Sequence, residues 1–185
     1  RIDCGEYQTD HEVAKLIGSP PGYLGHGTTQ PVLTQMKLNQ VMSERANVAI
    51  VLFDEIEKAS EAMVRILLGI LDQGELRLGD GGVVKFERTL IFFTSNVGTS
   101  EANRMQVGLG RYGDCNSAET YQKAVRKRFS TEFLNRIDDF VVYRKFNAAE
   151  IDEIFSLELK KVNQLIENRL GYNRAFSFQV SSDAK

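Results

Sequence analysis

The chain has 185 residues, 42% hydrophobic and 26% charged, the make-up of one full-sized globular domain with room for the start of a second. A formal charge of −2, with both signs mixed along the sequence, gives no electrostatic footing for nucleic acid or an anionic membrane as the main partner. Cys4 and Cys115 lack metal-type spacing and are expected to be reduced, His11 and His26 form no HExxH pattern, and no segment is apolar for the roughly 18 residues that a membrane helix needs.

The opening RIDCGEYQTD carries no leader pattern and no initiator Met, so Arg1 is expected to be a boundary rather than a natural start, with Arg1–Asp3 the end of a strand. His11–Ile17 has a short helical pattern, stopped by Gly18. Gly18 and the following SPPGYLGHGTTQP together hold all three prolines and four of the fifteen glycines, which predicts a loop. Apolar residues recur at helical spacing from Val32 to Ala46. Val48–Phe53 is continuously apolar, which predicts a strand of a parallel sheet covered on both faces, and it runs straight into Asp54 and Glu55. Ser60 is placed to cap a helix that carries Met63, Ile66, Leu67, Ile70 and Leu71 on one stripe and stops at Gly74.

LRLGDGGVVKF predicts a hairpin around Asp80-Gly81-Gly82, and Thr89–Thr94 a second buried strand ending in Ser95-Asn96. Residues 98–117 read as a polar loop with one helical turn, Ala118–Phe129 as a helix and Asp139–Tyr143 as a third strand. Asn147 and Glu150 form a capping box for a helix running to Leu170, and Phe176–Val180 reads as a late strand. The domain boundary is expected near Phe146, giving an α/β unit over 1–146 and the start of a small helical unit over 147–185.

Three strand-end or loop signals carry chemistry. Beside a nucleotide, Asp54 is suited to hold Mg²⁺ and Glu55 to polarise an attacking water; the bland alternative is a pair of acids closing a strand. The Asn96 amide can bond both a water and a phosphate oxygen, or simply cap a turn. Arg136 in FLNRID suits the charge that develops in phosphoryl transfer, or pairs on the surface with Asp138 or Asp139.

Together, GSPPGYLG, VLFDEIEKA, LLGILDQGELRLGDGG, FTSNVG and FSTEFLNRIDDFVVY resemble, in order, the signature segments of the C-terminal ATPase module of Clp-type AAA+ unfoldases. The resemblance implies an α/β fold, with a parallel sheet ordered 5-1-4-3-2 between helical layers, then a small helical domain. It implies that Asp54 is the Walker B magnesium-site acid, Glu55 the catalytic glutamate, Asn96 sensor 1 and Arg136 an arginine finger acting on the neighbouring subunit. Gly22, Tyr23, Leu24 and Gly25 fall on the pore loop that grips polypeptide, with the hairpin at Gly79–Gly82 resembling a second pore loop.

ATP and Mg²⁺ are the implied cofactors, and the implied setting is a cytoplasmic homo-hexamer that threads unfolded or aggregated polypeptide, with a protease as a candidate partner. The family's phosphate loop, GxxxxGK[ST], does not occur in the chain, and its sensor 2 arginine would fall beyond FSFQVSSDAK. The chain alone is therefore expected to lack ATPase activity. The alternative is a non-catalytic assembly module with the same fold. HGTTQPVLTQMKLNQVMSERANVAI also departs from the family's usual acidic, glycine- and arginine-containing stretch between pore loop and Walker B.

Overall fold

A computed structural model describes residues 1–19, 22, 30–99, 117–144, 146–170, 176 and 178. The chain divides into two compact units, Arg1–Phe140 and Val141–Lys185. The first contains the strands β1 (Ile2–Asp3), β2 (Ala49–Asp54), β3 (Glu75–Arg77), β4 (Val83–Lys85) and β5 (Thr89–Phe93). Its helices are α1 (Asp10–Ile17), α2 (Gln35–Gln40), α3 (Glu61–Gln73), α4 (Ser117–Arg128) and α5 (Thr131–Leu134). The second holds the 23-residue α6 (Ala148–Leu170).

β1, β2 and β5 form a parallel sheet in that order, with Ile2 opposite Phe53, and Ala49 to Phe53 opposite Thr89 to Phe93. This is the run 2-3-4 of the sheet order implied by the resemblance. Parallel strands need crossover connections, and the segments before β2 and β5 supply α2 and α3 respectively.

α3 forms as its sequence dictates. The Ser60 side chain accepts from the Met63 N–H at 3.3 Å, and the helix stops at Gly74, whose φ of 67° is left-handed and cheap only for glycine. Met63, Leu67 and Ile70, at i, i+4 and i+7, are buried against Val51 and Phe53 of β2, with Leu16 of α1 in the same core. Phe93 stacks on Phe53 at 5.6 Å between centroids and meets Phe133 of α5 edge-on at 5.5 Å, which ties α5 to the sheet.

The hairpin forms as β3–β4, with Leu76 opposite Val84, and Gly79 donates to the Ile17 carbonyl at 2.8 Å. In the second unit, the Asn147 N–H donates to Glu150 and the Glu150 N–H to Asn147 Oδ1, both at 2.9 Å, so the capping box is present.

Three expectations need correction. The helix expected over Val32–Ala46 is confined to Gln35–Gln40. The Val32 and Leu33 N–H groups donate to the Lys15 and Leu16 carbonyls, and Thr34 caps the helix only after that. Asp139–Tyr143 is not a strand: Phe140, Val141 and Tyr143 are exposed, and the stretch joins no ladder, because the strand that would pair with it is not in the described sheet. β2 is covered on one face only. Ala49, Val51 and Phe53 are buried, whereas Ile50 is 63% exposed, Leu90 opposite it 54%, and Phe92, opposite Leu52, 51%. The proposed late strand falls mostly outside the described residues, where Phe176 and Phe178 carry no strand; the loop over 98–117 falls outside them from residue 100 to 116.

Candidate active site

β2 delivers Asp54 and Glu55 to the carboxyl edge of the sheet, and β5, in register beside it, delivers Thr94, Ser95 and Asn96 to the same edge. Asp54 is half-buried. One of its oxygens accepts from the Thr94 hydroxyl and the other pairs with the Arg1 guanidinium. These partners, Thr94 first, hold its pKa below the usual carboxylate value, so the group is ionised at neutral pH.

Glu55 has a left-handed backbone, φ 55° and ψ 51°, a conformation that costs a residue with a Cβ about 1–2 kcal/mol. Its N–H, turned away from the sheet ladder, donates to Thr94 Oγ1 at 3.1 Å. Its carboxylate accepts from Lys58 Nζ at 2.6 Å, and that bond raises the Lys58 pKa.

Asn96 is exposed. Its N–H donates to Glu57 Oε1 at 3.2 Å, and its carbonyl accepts from the Thr99 hydroxyl at 2.7 Å. The other Glu57 oxygen is buried without a hydrogen-bond partner. Beneath these acids lies Cys4, fully buried and free, its pKa pushed up to about 12 by burial and then by Asp3, Glu57, Asp54 and Glu55. It is an inert core thiol.

Arg136 lies apart from this cluster. Its guanidinium pairs with Asp72 at 2.7 Å, not with Asp138 or Asp139. Asp72 stands near the C-terminal end of α3, about 16 Å along the helix axis from Glu61 at a rise of 1.5 Å per residue. Arg136 thus engages the end of α3 opposite to the one that follows the Asp54–Glu55 turn.

Of the GYLG loop, Gly22 is described, exposed and at φ 88°; Tyr23, Leu24 and Gly25 lie outside the described residues. The base of that loop is fixed by the hairpin, since a Cβ at Gly79 would stand 2.4 Å from the Gly18 carbonyl oxygen.

The donor set at the β2 edge is oxygen only: an ionised carboxylate, a hydroxyl and a neighbouring carboxylate. That chemistry suits a hard divalent cation such as Mg²⁺, which takes one or two carboxylates and completes its shell with water and phosphate. Among the described residues there is no group of three or more His, Cys, Asp or Glu side chains that could hold a metal. No described helix is long and apolar enough to cross a membrane. Sequence reasoning missed Thr94; the signal available was a hydroxyl residue directly before Ser-Asn at a strand end.

Comparison with known proteins gives a consistent result. The family model described as the AAA domain (Cdc48 subfamily) matches residues 1–140. The ATP-dependent Clp protease ATP-binding subunit ClpC of Staphylococcus aureus is 36% identical over 176 residues, covering 92% of this chain and 21% of the relative. Chaperone protein ClpB of Agrobacterium fabrum is 37% identical over 170 residues, covering 91% and 18%. The chain thus spans about a fifth of the length of these relatives. Among solved structures, the extended conformation of the Saccharomyces cerevisiae Hsp104–casein complex superposes with a TM-score of 0.74 at 27% identity, over 99% of this chain and 30% of that one. A closed-state reconstruction of Hsp104 with ATPγS and FITC casein gives 0.69 at 30% identity, over 91% and 28%.

Proposed function

The chain belongs to the AAA domain family, on its Clp branch, and from that premise we propose that it is the hydrolytic part of an ATP-driven protein unfoldase or disaggregase module. The observation that carries the reading is the junction at the sheet edge, where Asp54 and Glu55 of β2 meet the Thr94–Asn96 segment of β5. In the complete module, Asp54 would hold Mg²⁺ on the face now bonded to Arg1 and Thr94. When bound, Mg·ATP supplies the phosphoanhydride and the charge neutralisation that phosphoryl transfer needs. Glu55 orients and polarises a water, with release of its Lys58 ion pair freeing the carboxylate for that task. Asn96, exposed two residues beyond Thr94, would bond a terminal phosphate.

Arg136 would serve the nucleotide of a neighbouring subunit in a homo-hexameric ring, a reading supported by its pairing with Asp72 near the far end of α3 from the Asp54–Glu55 turn. Tyr23, between Gly22 and Leu24-Gly25, would grip polypeptide by apolar contact without reading its sequence. The casein bound to Hsp104 makes an unfolded polypeptide the natural substrate class, and the protease named with ClpC makes a protease the natural partner to test. The cytoplasm is the location proposed with that reading.

The test is Mg²⁺-dependent ATP turnover by the 185-residue chain, and by the same chain joined to the upstream segment of the ClpC relative. We expect none from the chain alone, turnover from the extended form, and its loss in Glu55→Gln. Turnover that survives Glu55→Gln would sink the assignment of Glu55, and no turnover from the extended form would leave the non-catalytic assembly module in its place.

A further inference from the structure

We propose that Thr94 is a positioning residue that fixes the Asp54–Glu55 turn. Every polar atom of Thr94 is spent on four consecutive residues of the opposite strand end. Its N–H donates to the Phe53 carbonyl at 3.0 Å, and its carbonyl accepts from the Ile56 N–H at 3.0 Å. Its hydroxyl accepts from the Glu55 N–H at 3.1 Å and donates to Asp54. Only a hydroxyl can donate and accept at one atom in this way. Threonine adds a β-branch that restricts χ1, so the oxygen is held ready rather than recruited.

The need for such a pin comes from Glu55 itself. A left-handed turn carries its N–H out of the ladder, so the backbone there has no partner unless a side chain provides one. The same turn sets the direction in which the Glu55 side chain leaves the chain. Thr94 therefore fixes the carboxylate's line of approach through the backbone, while it orients the Asp54 carboxylate through the side chain.

A second stitch lies two residues away, where Glu57 Oε1 accepts from the Asn96 N–H at 3.2 Å. Residues 94–96 and 54–57 are thus joined at both ends. The catalytic meaning of this link rests on the ATPase reading above; the placement of Glu55 by Thr94 does not.

The test is made on the 185-residue chain by NMR, with Thr94→Val and Thr94→Ser. Thr94→Val keeps the shape and removes both hydroxyl bonds. It is expected to speed exchange of the Glu55 amide by roughly three- to tenfold and to shift its Cα and Hα signals from left-handed values. The Ile56 amide, bonded to the Thr94 carbonyl, should stay protected. Thr94→Ser should restore the Glu55 values.

An unchanged Glu55 amide in Thr94→Val overturns the proposal, as does a serine variant that fails to rescue. If Thr94→Val does not fold, the χ1 couplings of Thr94 in the unaltered chain decide. A single rotamer supports the pin, and rotamer averaging overturns it. None of these readouts depends on turnover, so the ATPase reading can fail in Glu55→Gln while Thr94 keeps its role, and the reverse.

Discussion

Gly79→Ala isolates the seam between the hairpin and the segment that follows α1. A Cβ at position 79 would stand 2.4 Å from Gly18 O, 2.8 Å from Gly18 C and 2.9 Å from Ser19 C, all backbone atoms that no rotamer change can move. Carbon contacts settle near 3.5–4.0 Å, so the hairpin tip must retreat by about 1 Å. Strain of this kind costs about 1–3 kcal/mol. The retreat also breaks the Gly79 N–H bond to the Ile17 carbonyl, now 2.8 Å, for about 1 kcal/mol more. The expected loss is therefore about 2–4 kcal/mol.

Gly69 supplies the control. It lies inside α3, and a Cβ there meets nothing within 4 Å, so Gly69→Ala should gain about 0.5–1 kcal/mol from helix propensity. Urea unfolding followed by circular dichroism, with equal m-values, measures both. Equal stability for the two variants would refute the close approach of Gly79 to Gly18.

Other predictions address charge and reactivity. Arg136→Ala breaks an exposed ion pair with Asp72 and should change stability by no more than about 1 kcal/mol, while lowering turnover only in assembled rings; a large fall in urea midpoint would contradict this. Cys4, raised from 9.0 to about 12, should resist iodoacetamide at pH 8 in the folded chain and react readily in urea. Being an acid with a raised folded pKa, it contributes stability in full below pH 9.0 and loses it as pH climbs toward 12, which alkaline unfolding would record. Glu150, held below 4.5 by Arg144 and then by the Asn147 N–H, contributes stability above that value and loses it as pH falls through its lower folded pKa. Helix signal should decline over that acid range, and Glu150→Gln should flatten the decline.

The elements with both start and stop written locally were the legible ones. α3 has a serine cap, a stripe at i, i+4 and i+7, and a glycine stop, and each of these acts within one or two turns. The strand ends Asp54 and Asn96 were legible for the same reason, since an apolar run that ends abruptly in polar residues marks the sheet edge. Asp139–Tyr143 misled because a short apolar run reports what the side chains prefer, while a ladder also needs a partner strand. The expected helix at Val32 misled because the Lys15 and Leu16 carbonyls claim the Val32 and Leu33 N–H groups first, a tertiary contact that no local pattern encodes. Thr94 escaped notice because its importance lies in partners some forty positions away in sequence.

The left-handed backbone at Glu55 also bears on how this gene would age. Glycine is the residue that φ 55° prefers, so Glu55→Gly would relieve about 1–2 kcal/mol of backbone cost and so favour folding. The fold would therefore tolerate glycine or asparagine at this position. The backbone alone gives no reason for a glutamate at position 55. Position 55 is thus a natural first place to look when sorting working copies of this module from relics.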